Sequence, residues 1–331
     1  MIEVEKLSKT FTVHKKAPGL VGSLKSLFVR EKIEKQAVKG VDLQVGEGEI
    51  LGLVGANGAG KTTLVKMLAG IIHPSAGSAR VLGFTPWERR NEFRRRIALV
   101  MGQKAQLWWD LPAADSFLLL KEIYRVPDDQ FEESLNELVD MLGARDQLNI
   151  QLRRLSLGER MKMELIATLL HRPRVVFLDY PTIGLDLTAQ RAIRDFILAY
   201  REKHKPAMIL TSHYMEDIER LCERIVIIRE GEFVYDGALS QVKHAYATQK
   251  VIVAHLAREN GRCEVSEAIL EDGAILDEEA QTLRYEVPRE QVAEAAARVL
   301  AECRIHDLAI EEMDIGTVIE RIFQERGEVR A

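Results

Sequence analysis

The sequence predicts an α/β domain with a largely parallel sheet, followed by a small α+β domain. Over residues 1–240, apolar stretches typical of strands alternate with amphipathic helical stretches, an order that indicates a parallel sheet. The charge balance changes later: residues 259–331 hold 8 basic and 19 acidic residues, whereas residues 1–258 hold 38 and 32. Because such a shift often accompanies a domain boundary, we expect domains over residues 1–240 and 245–331.

The first domain is predicted to open with two strands, at residues 2–7 and 38–45, where apolar and polar residues alternate. A basic insertion, about residues 14–39, separates them and holds seven Lys or Arg against two Glu. Four of its apolar residues are spaced like one face of a short helix: Leu20, Leu24, Leu27 and Phe28. Two interpretations stay open: a solvated helix packed on its own domain, or contact with anionic lipid headgroups or a membrane partner.

The second domain is predicted to contain strands at residues 250–256, 283–287 and 307–310, with helices at residues 288–303 and 315–323. Its sequence has no Ser/His/Asp set, no metal-ligand spacing and no glycine-rich loop. We therefore expect an accessory role for this domain, limited to packing, dimer contacts or regulation.

A glycine-rich motif, GANGAGKTT at residues 55–63, stands between a predicted strand at residues 50–54 and a predicted helix at residues 62–68. Its glycines let successive N–H groups face phosphate oxygens, and the helix amino terminus adds partial positive charge. Lys61 would contact the β and γ phosphates, and Thr62 would offer its hydroxyl to Mg²⁺. The candidate nucleotide-binding residues of this loop are Gly55, Asn57, Gly58, Gly60, Lys61, Thr62 and Thr63.

Two further motifs fit a nucleotide site. The apolar run VVFLD, residues 175–179, ends on Asp179, the position of a carboxylate that holds magnesium. The run LSLGER, residues 155–160, precedes a helix rich in Leu, Ile and Met. Ser156 would cap that helix, while the Gly158 N–H and the helix dipole would face an anion.

Taken together, these motifs resemble the ATP-binding subunit of an ABC transporter, a P-loop NTPase fold with a helical subdomain, here about residues 104–172. The resemblance covers residues 1–240 and follows the family's order of motifs. It identifies residues 55–63 as Walker A, Gln103 as the Q-loop glutamine, residues 155–160 as the signature, Asp179 as the Walker B aspartate, residues 184–186 as the D-loop, His213 as the switch histidine and Phe11 as the aromatic that stacks on adenine.

The resemblance implies ATP and Mg²⁺ as cofactors, with the metal near Thr62, Gln103 and Asp179. It also implies a head-to-tail dimer with a second copy or a homologous subunit, in which Ser156 and Gly158 close on the γ-phosphate of the other subunit. The partners would be transmembrane permease subunits, and the chain would be cytoplasmic, peripheral on the inner face of the cell membrane. Trp108 and Trp109 follow Gln103 on a loop that faces the permease in this family. They are interpreted either as core residues or as contacts that couple the subunit to the permease.

One residue departs from the family pattern: Tyr180 follows Asp179, where a glutamate normally activates the attacking water. A phenol with an ordinary pKa of about 10 takes up protons poorly at neutral pH. Three readings stay open. The subunit is a slow hydrolase that relies on His213 and Gln103, one half of a heterodimer with a competent second site, or a variant that traps ATP.

The predicted function is that of an ATPase subunit that energises a separate permease, with export favoured over import. The alternatives are a non-transport ABC ATPase and an ATP-gated regulatory subunit with little turnover. A net charge of −5 argues against a nucleic-acid coat protein. No apolar run approaches the roughly 18 residues needed to cross a bilayer, so we expect the permease to be another polypeptide.

Overall fold

The chain folds into two compact units, divided between Gly237 and Ala238. A computed structural model describes residues 1–15, 31–102, 105–246, 249–259, 262–263, 265–277, 281–312, 316 and 318–319. The helix predicted within the basic insertion lies outside these described residues, as does most of the helix predicted at residues 315–323.

The strands and helices are numbered here along the chain. The strands are β1 Ile2–Lys15, β2 Glu31–Val45, β3 Ile50–Val54, β4 Ala76–Val81, β5 Ile97–Met101, β6 Val175–Asp179, β7 Ala207–Thr211, β8 Arg224–Arg229, β9 Glu232–Ala238, β10 Gln249–Leu256, β11 Arg258–Glu259, β12 Arg262–Cys263, β13 Ile275–Asp277, β14 Thr282–Pro288 and β15 Ile305–Glu312. The helices are α1 Lys61–Leu68, α2 Asn91–Arg94, α3 Ala113–Tyr124, α4 Asp128–Leu142, α5 Leu157–Leu169, α6 Leu187–His204, α7 Met215–Leu221, α8 Leu239–Tyr246, α9 Glu267–Glu271 and α10 Val292–Glu302.

The main sheet of the first unit confirms the predicted α/β class with a largely parallel sheet. Its strand order is β5-β6-β7-β3-β8-β9, and the pairs β5 with β6, β6 with β7, β7 with β3 and β3 with β8 are parallel. Every residue of β3 and β6 is buried, which explains their unbroken apolar runs. Because parallel strands end at a common edge, the chain leaves Val54 and Asp179 at the same side of the sheet.

A second sheet of the same unit is antiparallel, in the order β2-β1-β4. The predicted strands at residues 2–7 and 38–45 are too short, since β1 and β2 pair as far as Lys15 opposite Glu31. Both ends of the basic insertion are therefore strand. The outer part of β2, residues 31–36, holds a single apolar residue, Ile33, so it lacks the apolar alternation that predicts a strand.

The second unit has an antiparallel sheet in the order β13-β14-β10-β15. Helix α10 packs on it, and the core includes Ala254, Leu283 and Val299. The three predicted strands are present with slightly longer bounds. The predicted helix begins at Val292 rather than at Pro288, because Pro288 ends β14 and a single 3₁₀ turn follows it. Sequence patterning missed the short elements β11, β12, α9 and β13.

Candidate nucleotide-binding site

The loop between β3 and α1 is shaped by glycine. Gly60 has a φ of 118°, and a Cβ there would lie 2.4 Å from the carbonyl oxygen of Ala37. A side chain at this position would therefore displace the β-ribbon. Lys61 opens α1 and is buried; its ammonium donates hydrogen bonds to the carbonyl oxygens of Gly55 and Ala56. The amino terminus of α1 and this ammonium face one cleft.

Asp179, at the end of β6, lies at the centre of a hydroxyl cluster. The Thr62 hydroxyl is 3.2 Å from each carboxylate oxygen of Asp179, and the Thr211 hydroxyl donates to Oδ1 at 2.7 Å. Asp179 and Thr211 are paired across the sheet, which places β7 directly beside Asp179. Sequence reasoning did not single out Thr211, although its position at the end of an apolar strand was a usable signal.

Tyr180 adopts a left-handed backbone conformation, with a φ of 58°. Its ring stacks on the His213 ring with centroids 4.3 Å apart and planes 21° apart. The Lys61 ammonium lies 5.7 Å from the Tyr180 ring centroid. Behind this turn, a Cβ on Gly102 would lie 1.9 Å from the Tyr180 carbonyl oxygen, so the backbones of β5 and the Tyr180 turn touch directly.

The electrostatics of the cleft set the protonation of these groups. Burial, with the charge of Asp179 as a second cause, raises the pKa of Tyr180 to about 12. Burial and the Lys61 charge lower the pKa of His213. Burial also lowers the pKa of Lys61, against the opposing effect of Asp179. At neutral pH the site therefore presents a protonated phenol and a neutral imidazole.

One cleft of about 540 Å³ brings together most of the predicted site. Its lining includes ten of the predicted residues: Phe11, Asn57, Gly58, Gly60, Lys61, Thr62, Thr63, Asp179, Tyr180 and His213. Gly55 contributes its carbonyl to Lys61. Sequence reasoning missed Lys35, which lines the cleft because β2 places it opposite Phe11. The pairing of Lys35 with Phe11 can be predicted only if β2 is extended beyond its apolar part.

The signature residues lie elsewhere. Ser156 caps α5 as predicted: its hydroxyl accepts the Glu159 N–H at 3.3 Å, and the Glu159 carboxylate accepts the Ser156 N–H at 2.9 Å. Neither Ser156 nor Gly158 lines the cleft of its own chain. Gln103, predicted as a metal and water ligand, lies outside the described residues.

A buried ion pair ties the segments around His213 together. The Arg194 guanidinium of α6 donates to the Asp217 carboxylate of α7 at 2.6 Å, and both side chains are almost fully buried. Asp217 also accepts hydrogen bonds from the hydroxyls of Ser212, next to His213, and Thr182, close to Tyr180. One carboxylate thus fixes both loops that carry the stacked pair.

Comparison with known proteins decides the family. Residues 38–183 match the ABC transporter family, and residues 248–311 match the family described as EvrA-like ABC transporter, C-terminal domain. The chain is 32% identical to the ABC transporter ATP-binding protein NatA of Bacillus subtilis (strain 168), over 65% of this chain and 87% of that protein. The chain belongs to the ABC transporter ATP-binding proteins.

Two further comparisons concern a relative that matches both units of the chain and a solved structure with the same fold. The chain is 28% identical to the daunorubicin/doxorubicin resistance ATP-binding protein DrrA of Streptomyces peucetius, over 87% of each chain. The fold matches a dimeric structure of the ATP-binding cassette MJ0796 bound to ADP and Pi, with a TM-score of 0.60 and 21% identity over 72% of this chain and 99% of that one.

The residues of this ABC cleft fit a magnesium nucleotide. The loop offers backbone N–H groups and the Lys61 ammonium to phosphate oxygens, groups that favour anions at a helix amino terminus. The Thr62 hydroxyl and the Asp179 carboxylate converge at 3.2 Å and supply the oxygen donors that Mg²⁺ prefers. Phe11 supplies an aromatic face on the same cleft for a base.

Proposed function

We propose that the chain is the ATP-binding and ATP-hydrolysing subunit of an ABC transporter that energises a separate membrane permease for export. The observation that carries this proposal is the convergence of Lys61, Thr62 and Asp179 on the cleft that also holds His213. The likeness to a drug-resistance ATP-binding protein over 87% of both chains supports export.

Each residue of the cleft has a physical role in this proposal. Lys61 neutralises the β and γ phosphates, and the N–H groups of residues 55–63 orient them. Thr62 and Asp179 hold Mg²⁺, which would supply charge neutralisation at the phosphates. His213, neutral at pH 7, accepts or donates a hydrogen bond at the γ-phosphate or the attacking water. Gln103 is assigned to the same water and metal through its side-chain oxygen.

A surface around the helical subdomain supports a membrane partner. Several large apolar side chains are exposed there, with Trp108, Trp109 and Ile123 at 43%, 47% and 60% of full exposure. Exposed apolar groups of this kind mark binding surfaces in proteins. Among the described residues, no helix is long and apolar enough to cross a membrane. From their exposure we assign Trp108 and Trp109 to contact with permease subunits. A subunit that binds and hydrolyses ATP beside such a permease would lie at the cytoplasmic face of the cell membrane.

The exposed position of the signature residues supports a dimer. Ser156 and Gly158 do not line the cleft of their own chain, so they complete a phosphate site only in a second copy or a homologous subunit. We assign the domain over residues 245–331 an accessory or regulatory role and the domain over residues 1–240 the nucleotide chemistry. The helical subdomain over residues 104–172 carries the signature.

A second candidate function is an ATP-gated regulatory subunit with little turnover, and Tyr180 is the observation that favours it. Burial raises the pKa of Tyr180 to about 12, so this phenol stays protonated where a water-activating carboxylate is expected. In both candidate functions the cleft binds MgATP. They differ in the rate of the chemical step.

Calorimetric titration with MgATP tests the shared claim. Lys61→Ala is expected to weaken MgATP binding at least about tenfold, because it removes a charged donor to phosphate. Lys203→Ala, a control whose ammonium binds Glu137 instead, is expected to bind as the wild type does. Equal binding by wild type and Lys61→Ala would contradict the assignment of the cleft.

A separate experiment tests the membrane partner. Trp108→Asp is expected to lose the co-purification with permease subunits from detergent extracts.

A further inference from the structure

A buried carboxylate on the signature helix binds the loop that follows β5. One oxygen of Glu164, on α5, accepts the backbone N–H groups of Gln106 and Leu107 at 2.9 and 3.2 Å. The Gln106 side chain in turn donates to the Leu99 carbonyl of β5 at 2.7 Å. Gln106 is thus fixed between the main sheet and α5. No role of the nucleotide cleft requires this contact, since Glu164 does not line that cleft.

Other contacts tie the same loop, residues 105–111, to the signature helix and to the turn before it. Arg160 lies on α5 one turn before Glu164, and its guanidinium carbon is 4.8 Å from the Trp109 ring centroid. The Arg153 N–H donates to the Trp109 carbonyl at 3.1 Å. Arg153 also forms an ion pair with Asp110 at 3.2 Å. The loop is therefore held by two side chains of α5, Glu164 and Arg160, and by Arg153 in the turn before it.

A buried carboxylate at position 164 has a desolvation cost that an apolar residue filling the same space would not have. It is 8% exposed and lines a cavity of about 220 Å³ together with apolar residues such as Met161 and Leu157. Burial raises the pKa of its carboxyl, and the two backbone donors act in the opposite direction. An apolar side chain of the same length would occupy this position without the desolvation cost. What the carboxylate adds is a fixed position for the Gln106 and Leu107 backbone.

We propose that Glu164 is a positioning residue that clamps residues 105–111 onto the signature helix, so that this loop and the Ser156 end of α5 move together when MgATP binds. The loop carries the exposed indole of Trp108, and the first turn of α5 carries Gly158. The coupling rests on the proposed function, which assigns Trp108 to the permease and Gly158 to a phosphate. The clamp itself does not depend on that function.

Hydrogen–deuterium exchange of the full chain tests the clamp, with and without MgATP, at peptides covering residues 105–111 and 155–160. Glu164→Met keeps the length of the side chain and removes the acceptor. Glu164→Gln keeps an acceptor oxygen. Thr168→Val is the matched control, since Thr168 is buried one turn later on α5 and its hydroxyl donates along the helix to the Glu164 carbonyl at 2.6 Å. Circular dichroism and the MgATP affinity are measured for each variant.

In the wild type, MgATP is expected to slow exchange in both peptides together. Glu164→Met is expected to speed exchange at Gln106 and Leu107 at least about tenfold without nucleotide, and to abolish the MgATP response of the loop while the 155–160 response remains. Glu164→Gln and Thr168→Val are expected to follow the wild type. A loop in Glu164→Met that exchanges as in wild type, or an equal effect of Thr168→Val, would overturn the clamp.

Two outcomes separate the clamp from the proposed function. If the wild type does not bind MgATP, the proposed function fails and the coupling with it, but exchange without nucleotide still decides the clamp. If Glu164→Met does not fold, the wild type and Glu164→Gln decide it. Their Gln106 and Leu107 amides are expected to exchange at least about tenfold more slowly than the amide of exposed Trp108, and equal rates would overturn the proposal.

Discussion

The Tyr180 ring stacks on the His213 ring, with centroids 4.3 Å apart, at the position where a carboxylate would be expected to face the attacking water. The stack covers one face of the imidazole and lies beside the Lys61 ammonium. Burial and the Lys61 charge lower the pKa of His213, whereas burial raises the pKa of Tyr180 to about 12, so Tyr180 supplies no base at pH 7. In the proposed function, this pair leaves nucleotide binding intact and slows the chemical step.

The first prediction concerns the charge state of His213. Its pKa is expected to lie below 6.5, because burial and the Lys61 charge disfavour the imidazolium. Lys61→Met removes that charge and is expected to raise the pKa of His213. As pH falls, His213 of Lys61→Met is therefore protonated at a higher pH than His213 of the wild type. Titration of the His213 ring signals by NMR measures this directly. Lys66→Met is the control, because Lys66 is a second cation of the cleft, further along α1. We expect it to leave the pKa of His213 unchanged.

The second prediction concerns the dimer. Ser156→Arg places a bulky cation at an exposed helix cap that is proposed to close on the phosphate of a second subunit. MgATP-dependent dimerisation is expected to be lost, while nucleotide binding by the monomer is retained. Ser156→Thr keeps a capping hydroxyl and is expected to dimerise. Analytical ultracentrifugation gives the answer, and a Ser156→Arg chain that dimerises as well as wild type rules out the head-to-tail arrangement.

The third prediction concerns the buried ion pair behind the stack. Asp217→Ala leaves the buried Arg194 guanidinium with only the half-exposed Glu216 as an ion-pair partner, and it removes the acceptor of the Ser212 and Thr182 hydroxyls, so we expect it to destabilise the fold by about 3–5 kcal/mol. Replacing both residues, as Arg194→Met with Asp217→Leu, is expected to recover much of the loss. Glu88→Ala, which breaks an exposed pair with Arg90, is expected to cost less than about 1 kcal/mol. Urea denaturation compares the variants, and a similar loss from Asp217→Ala and Glu88→Ala would refute the role assigned to Asp217.

Local sequence patterns predicted the buried strands and the phosphate loop, but they could not predict contacts between segments that are far apart in the chain. Strands β3 and β6 match the predicted bounds, because strands buried on both faces show as unbroken apolar runs. The phosphate loop follows from local motif chemistry in the same way. The Tyr180 and His213 stack and the Arg194 and Asp217 pair are different. They depend on which strand ends become neighbours in the sheet, and no local pattern carries that information.

The β-ribbon shows a second limit. The outer part of β2 is almost entirely charged or polar, so this strand could not be extended from sequence, and Lys35 was missed as a consequence. In β1 the alternation of Phe11 and Val13 with polar residues was a usable signal. Pairing with the facing strand, rather than burial, determines that structure. Glu164 was missed for the opposite reason, since a polar residue inside an apolar helix gives no indication of its partner.

The central claim is that this cleft binds MgATP and that Tyr180 limits its turnover. The most direct measurement is steady-state phosphate release by wild type and Tyr180→Glu, with Lys61→Ala as the blank. A carboxylate ionised at pH 7 supplies the missing base, and general-base assistance is typically worth roughly 10²–10⁴ in rate. We expect Tyr180→Glu to raise turnover at least about tenfold with little change in MgATP affinity. Equal rates for wild type and Tyr180→Glu, both well above the blank, would contradict the account.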